Sequence, residues 1–218
     1  MTDDRRFRTA VIVLCVIGAA AVLRRLVAFA MGPATGTSEL AALDAHFDPK
    51  EALTLVHILP SLLLVALVPF QFSTSLRRSR PRLHRYVGRV AMGSGVIVGL
   101  SALLLSTSPV GGAVEAAATT FFGGFFLFAL GTAWWHIRQG RVTLHREWVT
   151  RMTAIALGVA TTRPIIAVFF ATSRLTGLTP HDFFGPAMWL GFTSTYLAAE
   201  AWIRSARAIS ADRLAWRS

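Results

Sequence analysis

Three histidines in this chain have the type and spacing to share a site. His136 and His145 stand on either side of a short basic turn, residues 138–144, between two apolar runs. In a membrane such a stretch is a helical hairpin with its turn in water, which puts the two imidazoles on neighbouring helices at one depth. His84 begins an earlier apolar run, beside Arg77, Arg78, Arg80 and Arg82. Neutral imidazole is a ligand for haem iron and for zinc. Two on facing helices suffice for one six-coordinate b-type haem, serving electron transfer or redox sensing. His84 and His145 are the first choice of axial ligands, and His136 can replace either. All three with a water would instead suit a zinc hydrolase, with Glu147 as base. A third reading needs no cofactor: histidines at a membrane edge bond loop carbonyls, headgroups or Glu147, at far lower cost than at the midplane. The chain would then be an assembly, transport or lipid-binding protein. No short ligand motif such as H-E-x-x-H selects among the three.

The elements that must position these residues follow from composition. The chain has 218 residues, 54% hydrophobic and only 15% charged, with a mean hydropathy of +0.55. That describes an integral membrane protein rather than a soluble domain. The net charge of +11 is not a nucleic-acid patch, because the arginines cluster between apolar runs as juxtamembrane residues do. The single cysteine, Cys15, excludes an intramolecular disulfide and any C-x-x-C motif. A bilayer core about 30 Å thick takes about 20 apolar residues. Six segments reach that length, approximately 8–31, 50–72, 83–107, 114–137, 145–171 and 184–204. The expected fold is therefore all-α: a polytopic membrane protein with six transmembrane helices in one bundle and one domain, 1–218. Residues 205–218 are expected to form a cytoplasmic tail on the inner membrane surface. Arg5, Arg6 and Arg8 before Ala28-Phe29-Ala30 suggest a signal peptide. Arg24 and Arg25 interrupt the run just before that site, so an uncleaved first helix is expected. Local signals place several helix starts: Asp48-Pro49 before the second segment, Pro81 before the third, Thr143 before the fifth and Thr179-Pro180-His181-Asp182 before the sixth.

Arginine and lysine counts orient the chain. With the N-terminus inside, the inner regions hold seventeen of the twenty-two basic residues, the outer loops only Lys50 and Arg174, and the helices Arg24, Arg25 and Arg163. This positive-inside bias puts both termini in the cytoplasm of a bacterial inner membrane. It also gathers His84, His136 and His145 at the inner level. Only His57 lies inside a helix at the outer level, so one haem is more economical than two. The expected partners are the bilayer itself and anionic lipids at the cytoplasmic face; redox partner and self-association are left open. His84, Gly88, Ala91, Gly95, Gly99 and Ala102 recur on one face of the third segment. Such a strip either packs a neighbouring helix or seats a flat ring.

Charge inside the apolar runs is a functional signal. Arg163 follows His145 by eighteen residues on the same face, about 27 Å along the axis. It can bind a headgroup, a carboxylate or a quinone oxygen, or snorkel and pair with Glu115. Arg24 and Arg25 have Glu51 and Glu115 as expected partners. Glu200 has Arg151 or Arg204. Pro164 should kink its helix and free a carbonyl. Trp134, Trp135, Trp148 and Trp202 fit an inner aromatic belt.

These blocks carry a resemblance. His57-Ile58-Leu59-Pro60, Leu83-His84-Arg85-Tyr86-Val87-Gly88-Arg89, His136, and His145-Arg146-Glu147-Trp148 followed by Arg151 resemble the recurring blocks of the DUF2306 family of bacterial membrane proteins. The likeness runs from the second segment through the sixth. Val149 departs from the methionine expected after the tryptophan. The resemblance implies a polytopic membrane protein and singles out the same histidines; it brings no reaction with it. Likeness to di-haem cytochromes of the b561 type rests on helix number and histidine content, which is analogy.

Overall fold

A computed structural model describes residues 2–32 and 39–215, with side chains over 5–32, 41 and 43–209. Every regular element among these residues is helical. The order is α1 (Thr2–Ala30), α2 (Glu39–Phe47), α3 (Glu51–Gln71), α4 (Thr74–Ser79), α5 (Pro81–Leu105), α6 (Gly112–Arg138), α7 (Val142–Thr176) and α8 (Pro180–Ala215). A 3-10 turn, Asp48–Lys50, joins α2 to α3. Helices are the form in which an apolar chain satisfies its own backbone in lipid.

Five stretches are long and apolar enough to cross a membrane: Arg5–Ala30, Leu43–Gln71, Pro81–Leu105, Gly112–Arg138 and Val142–Thr176. The sixth expected crossing lies in α8, the longest helix, whose apolar run is diluted by Thr193-Ser194-Thr195-Tyr196. α1, α6, α7 and α8 run past their expected bounds, whereas α3 and α5 keep close to theirs. Asp48 does not cap α3, because helix begins earlier, at α2; Thr143 lies inside α7, whose N-cap position is Arg141. Pro81 does open α5. Thr179-Pro180 does open α8, and Asp182 closes its first turn: the Thr179 backbone N–H and Oγ1 both donate to Asp182 Oδ2, at 2.9 and 2.6 Å, which is the carboxylate half of a capping box. α7 runs on through Pro164. α8 likewise continues to Ala215 where a separate surface tail was expected; Trp216 and Arg217 of that tail lie outside the described residues, and of residues 210–215 only the backbone is described.

Packing closes a ring. α1 lies on α3, α3 on α5, α5 on α6, α6 on α7 and α7 back on α1, while α8 braces α6 and α7. Glycines set the close approaches. A Cβ on Gly191 of α8 would lie 2.4 Å from Thr162 Cγ2, and one on Gly158 of α7 would lie 2.4 Å from Phe192 Cδ1. The small-residue strip of α5 serves the same end: added Cβ atoms on Gly95 and Gly99 would strike Leu130 at 2.6 Å and Leu127 at 2.4 Å. Packing against α6 thus occupies the middle of the strip, while His84, Gly88 and Ala91 line a cavity at one end and Gly99 and Ala102 line another toward the other end. Phe122, Phe126, Leu64, Leu157 and Phe192 form the core of the ring.

Candidate functional site

Among the described residues a cavity lies toward each end of the bundle. The first, about 1090 Å³, opens at the arginine-rich end and is lined from α1, α3, α4, α5, α6, α7 and α8. His84 and His145 both line it; His136 does not. The turn between α6 and α7 explains the difference. Gly140, at φ +71°, takes the left-handed conformation that a tight reversal needs and that glycine adopts without strain. α7 then runs back along α6, and His145 Nδ1 meets the carbonyl of Ala133 at 2.8 Å. A carbonyl only accepts, so Nδ1 carries the proton and Nε2 is left as a free lone pair. His136, one turn past Ala133, is buried against Trp135, with Nδ1 unpaired.

His84 comes from α5, which makes no extended contact with α7; α6 lies against both. The two cavity-facing histidines therefore flank a gap rather than a packed seam. His84 Nδ1 is buried without a hydrogen-bond partner, as is Nε2 of Gln71 from α3. Gln71 sits over Gly88, where an added Cβ would be 3.2 Å from its Oε1. Arg8, Arg77, Arg85, Arg89, Arg138, Arg146 and Arg207 line the same cavity, against one carboxylate, Glu147. The crowding shows at Arg77, whose guanidinium is held below its ordinary value by burial first and then by the charges of Arg146 and Arg78.

Glu147 is not a partner of the histidines. Arg207 grips it with two donors, Nε to Oε1 at 2.6 Å and Nη2 to Oε2, and Arg151 Nη1 stands 3.7 Å from Oε2. Arg151 in turn pairs with Glu200, Nε to Oε1 at 2.5 Å, one of the two expected pairings. Both carboxylate oxygens of Glu147 are thus taken up by arginines. Among the described residues no three histidine, cysteine, aspartate or glutamate side chains are placed to hold one metal ion.

The second cavity, about 620 Å³, lies toward the opposite end and takes in His57, Arg24, Arg25, Lys50, Glu115 and Arg163. The expected pairings differ here. Arg24 Nη2 and Arg25 Nη1 both reach Asp44 Oδ1 at 2.6 Å, not Glu51 or Glu115. Glu115 Oε2 instead accepts the Gly111 N–H at 2.5 Å, at the start of its own helix. His57 Nδ1 is 3.0 Å from Ser101 Oγ, whose own proton goes to the Ile97 carbonyl at 2.6 Å. Arg163 makes no ion pair among the described residues, and its Nε is buried without a partner. Of the expected tryptophan belt, Trp134 and Trp135 are exposed, whereas Trp148 packs on Phe128 and Trp202 stacks on Phe7.

Sequence reasoning missed Gln71, Arg207 and Asp44. Gln71 looked like the end of an apolar run, Arg207 like one more tail arginine, and Asp44 sits in α2, read there as loop. A polar residue closing a 21-residue helix was the signal available for Gln71.

No curated protein and no solved structure matches the chain. A family model described as "Predicted membrane protein (DUF2306)" matches residues 54–203, which take in His57, His84, His136, His145, Arg163 and Glu200. The chain is a member of the DUF2306 family of predicted membrane proteins.

Proposed function

We propose that this protein is a six-crossing membrane protein that holds one b-type haem between His84 and His145 and serves one-electron transfer or redox sensing. The observation that carries the reading is the pair of imidazoles lining one cavity from helices that make no extended contact with each other. The donor set fits the group. His145 is held in the tautomer that leaves Nε2 free, and a carbonyl hydrogen bond behind a ligating histidine fixes its ring and raises its basicity. At about 1090 Å³ the cavity is slightly larger than the roughly 300–1,000 Å³ usual for small-molecule and cofactor sites. The surplus of arginines matches two propionates, and Gly88 and Ala91 leave α5 without bulk beside His84. Haem would supply a reversible one-electron couple. The chain's own part is to fix both rings, neutralise the carboxylates and keep the apolar ring edge dry.

In this reading α8 is the sixth crossing, both termini face the cytoplasm, and the arginine-rich end is the cytoplasmic end, where anionic lipids gather. The zinc reading has less support: it needs three converging ligands and a free carboxylate, and Glu147 is tied to two arginines. The test is the haem content of protein purified after expression with ample haem. One haem per chain supports the proposal, and none overturns it.

A further inference from the structure

The second cavity calls for a ligand of its own, independent of any haem. Its charges do not balance. Arg24, Arg25, Lys50 and Arg163 are four cations against three carboxylates: Asp44, held by Arg24 and Arg25, Glu115, which accepts the Gly111 N–H, and Asp48, whose charge acts on Arg25. Lys50 Nζ is bonded to the Ser108 carbonyl and to His46 Nε2, each at 2.7 Å, with no carboxylate. Arg163 is the strongest signal. It projects from α7 into a cavity walled by Leu64, Val65, Phe126, Leu157 and Phe192, its Nε is buried and unpartnered, and no described carboxylate pairs with it. Thr54 lines the same space with its Oγ1 buried and unbonded. An uncompensated cation in such surroundings is costly, and a planar guanidinium is matched by a two-oxygen acceptor.

We infer that this cavity binds an amphiphile whose oxyanion head, a carboxylate or a phosphate, sits on Arg163 and Lys50 with its alkyl chain along the apolar wall. A neutral head would leave the charge excess in place, and a free inorganic anion would leave the apolar wall unfilled. The volume of about 620 Å³ suits a single chain of medium length rather than a two-chain lipid.

The experiment uses full-length, delipidated protein in a zwitterionic detergent, with binding read by native mass spectrometry and thermal shift. The probes are dodecanoate, dodecyl phosphate, dodecan-1-ol and inorganic phosphate. One dodecanoate or dodecyl phosphate should bind per chain, at least tenfold more tightly than the alcohol or inorganic phosphate. The preferred anion then identifies the head as a carboxylate or a phosphate. Arg163→Gln should lower the affinity at least tenfold, with Arg163→Lys between it and the parent. Arg163→Gln should also raise the melting temperature of ligand-free protein, which a merely structural arginine would not do. If Arg163→Gln does not fold, Lys50→Gln serves, with an expected loss of several-fold. Equal binding of dodecan-1-ol, equal binding of inorganic phosphate, or unchanged affinity in the variants would each overturn the inference.

Discussion

His145 donates from Nδ1 to the carbonyl of Ala133, 2.8 Å away across the α6–α7 hairpin. This bond separates His145 from His136, the two histidines that the sequence puts at one depth. His145 is pinned with Nε2 free and lines the cavity, whereas His136 is turned into the protein beside Trp135. Their roles should separate in the same way. His84→Ala and His145→Ala should each lose most of the bound haem, while His136→Ala should retain it. Haem per chain, measured on folded protein, checks this; equal losses at all three positions would contradict the assignment.

Crossing number can be read by labelling. Cys15 is buried, so an introduced cysteine reports alone. With six crossings and a cytoplasmic N-terminus, Thr107→Cys reacts with an impermeant maleimide from outside intact cells, and Ser79→Cys and Ser205→Cys do not. Labelling of Ser205→Cys from outside would reduce the crossings to five.

The α7–α8 seam is set by glycine. Gly191→Ala brings a Cβ to 2.4 Å from Thr162 Cγ2 and 2.9 Å from Thr162 N, and because a backbone atom cannot give way cheaply, it should cost about 1–3 kcal/mol. Gly124→Ala meets nothing within 4 Å and should be neutral or slightly stabilising, since alanine is the better helix former. Thermal unfolding in detergent compares the two.

The cap of α8 makes its first turn acid-sensitive. The hydroxyl and N–H of Thr179 hold the Asp182 carboxyl below its ordinary value of 3.8. A depressed carboxyl contributes stability above its unfolded value and loses it as pH falls through the folded one. Amide exchange at Asp182 and Phe183, whose N–H groups donate to the Thr179 carbonyl, should therefore quicken, after correction for intrinsic rates, only as pH drops below about 4. Asp182→Asn should show weaker protection that no longer depends on acid in this range.

Much of the fold was legible because apolar length and basic turns are strong signals. Pro81 and Thr179-Pro180 marked helix starts where the structure has them. The short α2 and α4 were not legible: nine and six residues carry little periodicity, and α2 owes its place to Asp44 meeting Arg24 and Arg25. The strip on α5 was visible, but whether it met a helix or open space depended on where Leu127 and Leu130 of α6 point. The same limit applied to the site. Sequence brought His84 and His145 to one level, but which nitrogen is free depends on the Ala133 carbonyl, twelve residues from His145 and visible only once the hairpin has closed. Arg163 stood out as an intramembrane charge; that Glu115 would be occupied by Gly111 could not be read from spacing.

The most direct test of the histidine pair is the visible spectrum of the purified protein, oxidised and then reduced with dithionite. The account predicts the sharp reduced bands of a six-coordinate, low-spin b-type haem, lost in both His84→Ala and His145→Ala. A haem-free protein, or a spectrum unchanged by either substitution, would contradict it.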